Sequence, residues 1–123
     1  MTEPCDLSAV AARALIGERK LSPVELMDSC IARIEAIDPA VNAMIARGFD
    51  SARETARQSE AVVMRGDALG PLYGLPLGVK DLIDAKGLPT SFGSVLFADN
   101  IAKDDEAIRR PCNDVSWPLA LSK

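Results

Sequence analysis

Residues 70–94 read Gly70-Pro71-Leu72-Tyr73-Gly74-Leu75-Pro76-Leu77-Gly78-Val79-Lys80-Asp81-Leu82-Ile83-Asp84-Ala85-Lys86-Gly87-Leu88-Pro89-Thr90-Ser91-Phe92-Gly93-Ser94. The stretch holds five of the eight glycines and three of the eight prolines, so its backbone is tightly specified. Within it, Leu77 to Asp81 predicts a short buried strand ending on a lysine and an aspartate. A lysine delivered at the end of an apolar strand can be held out of bulk water. Its ammonium then loses solvation, its pKa falls, and it can act as a base. The same spacing also fits a surface lysine paired with Asp81.

Gly70, Gly74 and Gly78 recur every four residues, but Pro71 and Pro76 interrupt any helix, so this is no membrane-helix packing face. Lys80 stands between Val79 and Asp81, which is not the G-K-[ST] of a phosphate loop, and no G-x-G-x-x-G occurs. Residues 81–84 read as extended, and Ala85-Lys86-Gly87 as a turn. The hydroxyls of Thr90, Ser91 and Ser94 either face a substrate or cap the loop. Ser91 or Ser94 beside Lys80 would make a Ser-Lys dyad, although nothing in the spacing demands one.

Upstream, three helices are predicted. Ser8 caps the first, Val10, Ala11, Ala14 and Leu15 share a face, and Gly17 supplies a left-handed end. Ser22-Pro23-Val24-Glu25 is a capping box with proline at the first helical position. It opens a helix whose apolar face is Leu26, Met27, Cys30, Ile31, Ile34 and Ile37, and Asp38-Pro39 is read as its stop. Met27 and Cys30 are soft metal ligands by type, but on that face they read as core. Asn42 to Ala46 fits a short strand. Asp50 is read as the cap of a third helix, Ser51 to about Arg65, ended by Gly66. Ala52, Ala56, Val62 and Val63 are its apolar side.

The 123 residues suit one ordinary domain, with apolar content of 48% and charged content of 26%. A net charge of −4 argues against a general nucleic-acid binder, which needs a basic face. The absence of histidine removes Ser-His-Asp and Cys-His catalysis and most zinc sites. Cys5, Cys30 and Cys112 are widely spaced and odd in number, so thiols in a reducing compartment are expected rather than a disulfide framework. The first residues carry no signal-peptide pattern, and no apolar run approaches the ~18 residues of a membrane span. A cytoplasmic location and no membrane contact are the expectation.

The run from Gly70 to Asp81, followed by Ile83-Asp84, Gly87-Leu88-Pro89-Thr90-Ser91 and Gly93-Ser94, resembles the amino-terminal part of the amidase signature family. The similarity extends from about residue 7 to about Arg109. It implies an α/β fold, a mixed sheet flanked by helices, of which this chain would supply three helices followed by short strands. It implies amide hydrolysis or transfer by a Ser–cis-Ser–Lys triad in which Lys80 matches the lysine. In its neutral form that lysine would hydrogen-bond the bridging serine, which relays the proton of the nucleophile. The resemblance implies a small-molecule amide substrate, no cofactor and no metal.

The resemblance implies a later Gly/Ser-rich segment carrying the bridging serine, followed by the serine nucleophile, and the last glycine here is Gly93. Residues 104–106 read as the acidic start of a short helix, Ala107 to Arg110. Residues 111–123 carry two prolines and no periodicity, and read as a divergent, poorly ordered tail without a strand, after an amidase-like part at 1–110. Three readings follow: an inactive amidase fragment carrying only Lys80, a split amidase or amidotransferase whose serines come from a second chain, and a non-catalytic helical binding module.

Overall fold

The capping box forms as its residues dictate. Ser22 Oγ accepts from the Val24 amide at 2.9 Å, and Glu25 Oε2 accepts from the Ser22 amide at 2.9 Å. The computed structural model describes residues 2–104, and residues 118–122 as a strand. The helices are α1 (Ala9–Gly17), α2 (Pro23–Val41) and α3 (Phe49–Arg65); the strands are β1 (Met44–Arg47), β2 (Leu77–Lys80) and β3 (Pro118–Ser122).

Ser8 caps α1 by accepting from the Ala11 amide at 3.2 Å. The left-handed end residue is Arg19, at φ 58°, rather than Gly17, which stays helical. The Lys20 amide reaches the Leu15 carbonyl at 2.8 Å, and the Arg19 amide reaches that of Ile16 at 3.0 Å. The last carbonyls are thereby satisfied two residues later than the glycine signal implies.

α2 does not stop at Asp38-Pro39. It runs through Pro39 to Val41 and ends on Asn42 in the left-handed region, at φ 52°. The steric push of proline on its predecessor is a preference, and the Asp38 carboxylate outweighs it by tying the helix end to the chain beyond. It accepts from the Ala43 amide at 2.7 Å, the Met44 amide at 3.1 Å and the Arg47 guanidinium at 2.6 Å. These bonds hold its pKa below the ordinary value, the Arg47 bond foremost, against an opposing effect of burial. β1 then forms at Met44–Arg47, where a short strand is predicted.

α3 begins at Phe49 without a side-chain cap. Asp50 lies inside its first turn, where its charge suits the helix dipole, and Gly66 ends it at φ 80° as expected.

Met27 and Ile31 of α2 pack on Ala52 and Ala56 of α3; the alanines let the two helices approach closely. Met27 is thus core, as its position predicts. Ala12 and Ile16 of α1 meet Leu21, Leu26, Val63 and Leu75 in a second cluster. Arg13 fixes the chain leading to β2, its Nε and Nη2 each donating to the Gly70 carbonyl at 3.0 Å. Gly74 then turns at φ 84°, and a Cβ there would lie 3.2 Å from Ile16 and Pro23 side chains. This turn therefore requires glycine on two grounds.

The sheet order is β1-β3-β2, with β3 antiparallel to β1 and parallel to β2. Lys80 pairs with Ser122 and Arg47 with Ala120. The strand at 118–122 is a correction to the strandless tail read from the sequence. The predicted helix at 107–110 and the rest of the tail lie outside the described residues. No helix among the described residues is long and apolar enough to cross a membrane.

Candidate functional site

β2 delivers two consecutive polar residues with opposite environments. Val79, before them, is buried with Ala85 in a small cluster backed by Ala46, Leu77, Ile83 and Leu88. Lys80 is exposed among the described residues, so β2 does not hold it out of water as the base reading of the sequence expects. The surface reading beside Asp81 describes its surroundings here. Asp81 itself is only 5% exposed. The chain does not continue extended over 81–84 as the sequence predicts. It turns at once, the Ile83 amide donating to the Lys80 carbonyl at 3.0 Å.

That turn brings Asp81 under the segment ten residues on. Its Oδ1 accepts from the Ser91 amide at 2.7 Å, and its Oδ2 accepts a short hydrogen bond from Ser91 Oγ and a longer one, 3.4 Å, from the Gly93 amide. Its backbone carbonyl accepts from the Phe92 amide at 3.1 Å. Phe92 and Gly93 both take positive φ, 52° and 70°, and the clasp holds this turn in place. Burial raises the Asp81 pKa, but the bonds from Ser91 and Gly93 and the charge of Lys80 lower it further, leaving it below the ordinary carboxylate value.

The far side of the loop is fixed by backbone pairing. The Ala102 amide meets the Leu88 carbonyl at 3.0 Å, and the Thr90 amide meets the Asn100 carbonyl at 2.8 Å. Thr90 is fully buried, and its Oγ1 has no hydrogen-bond partner among the described residues. Ser94 Oγ accepts from the Leu96 amide at 3.3 Å and caps a 3₁₀ turn, Val95–Phe97, that the sequence does not announce. Phe92 and Phe97 meet edge to face, 5.6 Å between centroids.

Lys80, Asp81, Ser91, Gly93 and Ser94 line one cavity of about 520 Å³, completed by apolar side chains that include Ile45, Leu82 and Phe92. The three residues singled out in the sequence, Lys80, Ser91 and Ser94, are thus brought to one place. Their hydroxyls are not equivalent to free nucleophiles. Ser91 gives its proton to Asp81, and Ser94 serves the backbone, which fits the loop-capping reading. The Ser91 and Gly93 amides are occupied by Asp81. Sequence reasoning missed Asp81 as the organiser; the only signal was an acidic residue directly after a buried strand. Among the described residues no cluster of ligands could hold a metal ion. Chemically the cavity offers an exposed amine beside a buried carboxylate, on an apolar floor.

A family model described as Amidase matches residues 25–110. An acylamidase of Rhodococcus erythropolis is 40% identical over 108 residues, which are 83% of this chain and 21% of that protein. A glutamyl-tRNA(Gln) amidotransferase component of Chloroflexus aurantiacus is 38% identical over 98 residues, 80% of this chain and 20% of that one. The chain therefore spans about a fifth of the length of these relatives. A solved bacterial aryl acylamidase of the amidase signature enzymes superimposes with a TM-score of 0.86 at 28% identity, over 95% of this chain and 25% of that one. A fatty acid amide hydrolase superimposes over the whole chain with a TM-score of 0.89, at 21% identity, and so speaks for the fold alone. With seven tenths of its length inside the family model and its α/β architecture shared with solved members, the chain belongs to the amidase signature family.

Proposed function

We propose that this chain carries the lysine-bearing part of an amide-cleaving site, with Lys80 as the general base of a Ser–Ser–Lys triad. The observation that carries the reading is the position of Lys80. It ends β2 at the wall of the cavity, held there by strand pairing behind it and by the Asp81-anchored turn ahead of it. Once covered by the segment that completes the site, Lys80 would take the proton of a bridging serine while that serine takes the proton of the nucleophile. The nucleophile would add to the amide carbonyl, and the proton would go to the departing amine. Water or another acceptor would then release the acyl group.

We do not assign those roles to the serines of the cavity, since Ser91 gives its proton to Asp81 and Ser94 Oγ is turned to accept from the Leu96 amide. The 123 residues alone are therefore inactive, and the serines come from a Gly/Ser-rich segment beyond them in sequence or on a second chain. The rim of the cavity supports a missing complement: Val95 is 91% exposed and Leu96 87%, apolar side chains with nothing over them among the described residues. The boundary of the amidase-like part is placed at residue 110, with 111–123 divergent. The substrate class is a small-molecule amide, and the location is cytoplasmic.

Fluorophosphonate labelling and amide hydrolysis by the purified chain test the reading. The folded chain is expected to give neither. Labelling of Ser91 or Ser94 that disappears in Lys80→Ala would mean a complete Ser-Lys dyad exists here and would overturn it.

A further inference from the structure

Away from the cavity, the fold anchors the segment carrying Cys5 on the part of α2 that carries Cys30. The 3₁₀ turn Pro4–Asp6 lies along α2 and is held at two points. The Cys5 amide donates to Ser29 Oγ at 3.1 Å, and the Asp6 carboxylate pairs with Arg33 at 3.0 Å. On an α-helix, residues i, i+1 and i+4 form one surface triangle. Ser29, Cys30 and Arg33 are its corners here. With residue 5 fixed to Ser29 and residue 6 to Arg33, Cys5 is held along the stretch of α2 that carries Cys30 between those two anchors. It is near enough for its charge to act on the Cys30 thiol. Both cysteines are free and half-buried.

We propose that Cys5 and Cys30 are a reversible dithiol site, closed to a disulfide by an oxidant of the peroxide class. Cys30 is the resolving thiol: burial, and then the neighbouring Cys5, push its pKa up to about 11, so it keeps its proton at neutral pH. The Cys5 sulfur attacks a peroxide oxygen, the O–O bond breaks, and the thiol proton leaves with the departing oxygen as one water, so that Cys5 becomes a sulfenic acid. The Cys30 sulfur then displaces the sulfenic oxygen, losing its proton as a second water leaves. Two thiols and one hydrogen peroxide thus give one disulfide and two waters. The bridge closes a loop containing all of α1. Through Arg13 and its bonds to Gly70, α1 also supports the chain entering β2. In a reducing environment the pair stays open, in keeping with thiols that are not a structural framework.

The test is hydrogen peroxide treatment of the full chain, alkylation of remaining thiols, and mapping of tryptic peptides by mass spectrometry. The expected main product links residues 1–13 to residues 21–33, with the loss of two hydrogens. Dithiothreitol reverses it, C5S and C30S lack it, and C112S retains it. In denaturant the preference for this pairing over pairing with Cys112 disappears. A folded wild-type chain in which Cys5 and Cys30 both remain alkylatable overturns the proposal. So does one that bridges mainly to Cys112, or one that gives the same linkages folded and denatured.

Discussion

Asp81 is the residue on which the candidate site turns, because one buried carboxylate fixes a loop that would otherwise be free to choose its shape. Asp81→Asn keeps the volume but loses the charge that three donors face. It is expected to cost about 2 kcal/mol in urea unfolding, the range for a buried charged acceptor, and to raise hydrogen exchange at Ser91 and Gly93. The pH dependence follows with its sign. Asp81 and Asp38 both have folded pKa values below their unfolded ones. The unfolded chain therefore binds protons first as pH falls, and the stability from these groups is present above about pH 4 and lost below it. Urea midpoints measured between pH 7 and pH 3 should fall in that window, and less steeply in Asp81→Asn and Asp38→Asn. Thr90 is the opposite case. Its buried hydroxyl has no partner among the described residues, so Thr90→Val is expected to stabilise the chain by about 1 kcal/mol, removing a desolvated polar atom at constant shape. An unfolding midpoint below that of the wild type would show a partner for that hydroxyl.

At the scale of elements, local chemistry was legible where one short segment decides the outcome. Ser22 to Glu25 is such a segment, and so is Leu77 to Lys80. Ser22→Ala removes the cap of α2 and also the bond from Ser22 Oγ to Glu60 Oε1 at 2.5 Å, which ties α2 to α3. A loss of about 1–2 kcal/mol is expected, read from thermal melts followed by circular dichroism. Elements decided by distant partners were not legible. α2 passes Pro39 because Asp38 finds Arg47, nine residues on, and no periodicity records that pairing. The turn after Lys80 depends on Ser91 and Gly93. β3 has no alternation to reveal it, and it lies between β1 and β2, paired on both edges. Lys80, Ser91 and Ser94 could be named as candidates from the sequence. That Ser91 is committed to a carboxylate could not be, since that depends on where Asp81 comes to lie.

At the scale of the whole molecule, the helices form a packed layer with two apolar clusters, and the sheet carries the third and smallest. The cavity is built at the sheet's end, with exposed apolar side chains around it. Under the proposed function, the helical layer closes on itself and the cavity face is where the serine-bearing segment would seat. The fold was legible through the resemblance to the amidase signature family that the glycine- and proline-punctuated stretch carries, and not from periodicity or composition. The account's central claim is that Lys80 is the base of an amide-cleaving triad completed from elsewhere. It is tested most directly by exchanging residues 1–110 for the matching segment of the Rhodococcus acylamidase and measuring amide hydrolysis, with and without Lys80→Ala. The account predicts an active chimera whose Lys80→Ala variant stays folded and loses roughly 10²–10⁴-fold in kcat, the range for a lost general base. A folded Lys80→Ala chimera that hydrolyses amides at the parent chimera's rate would contradict it.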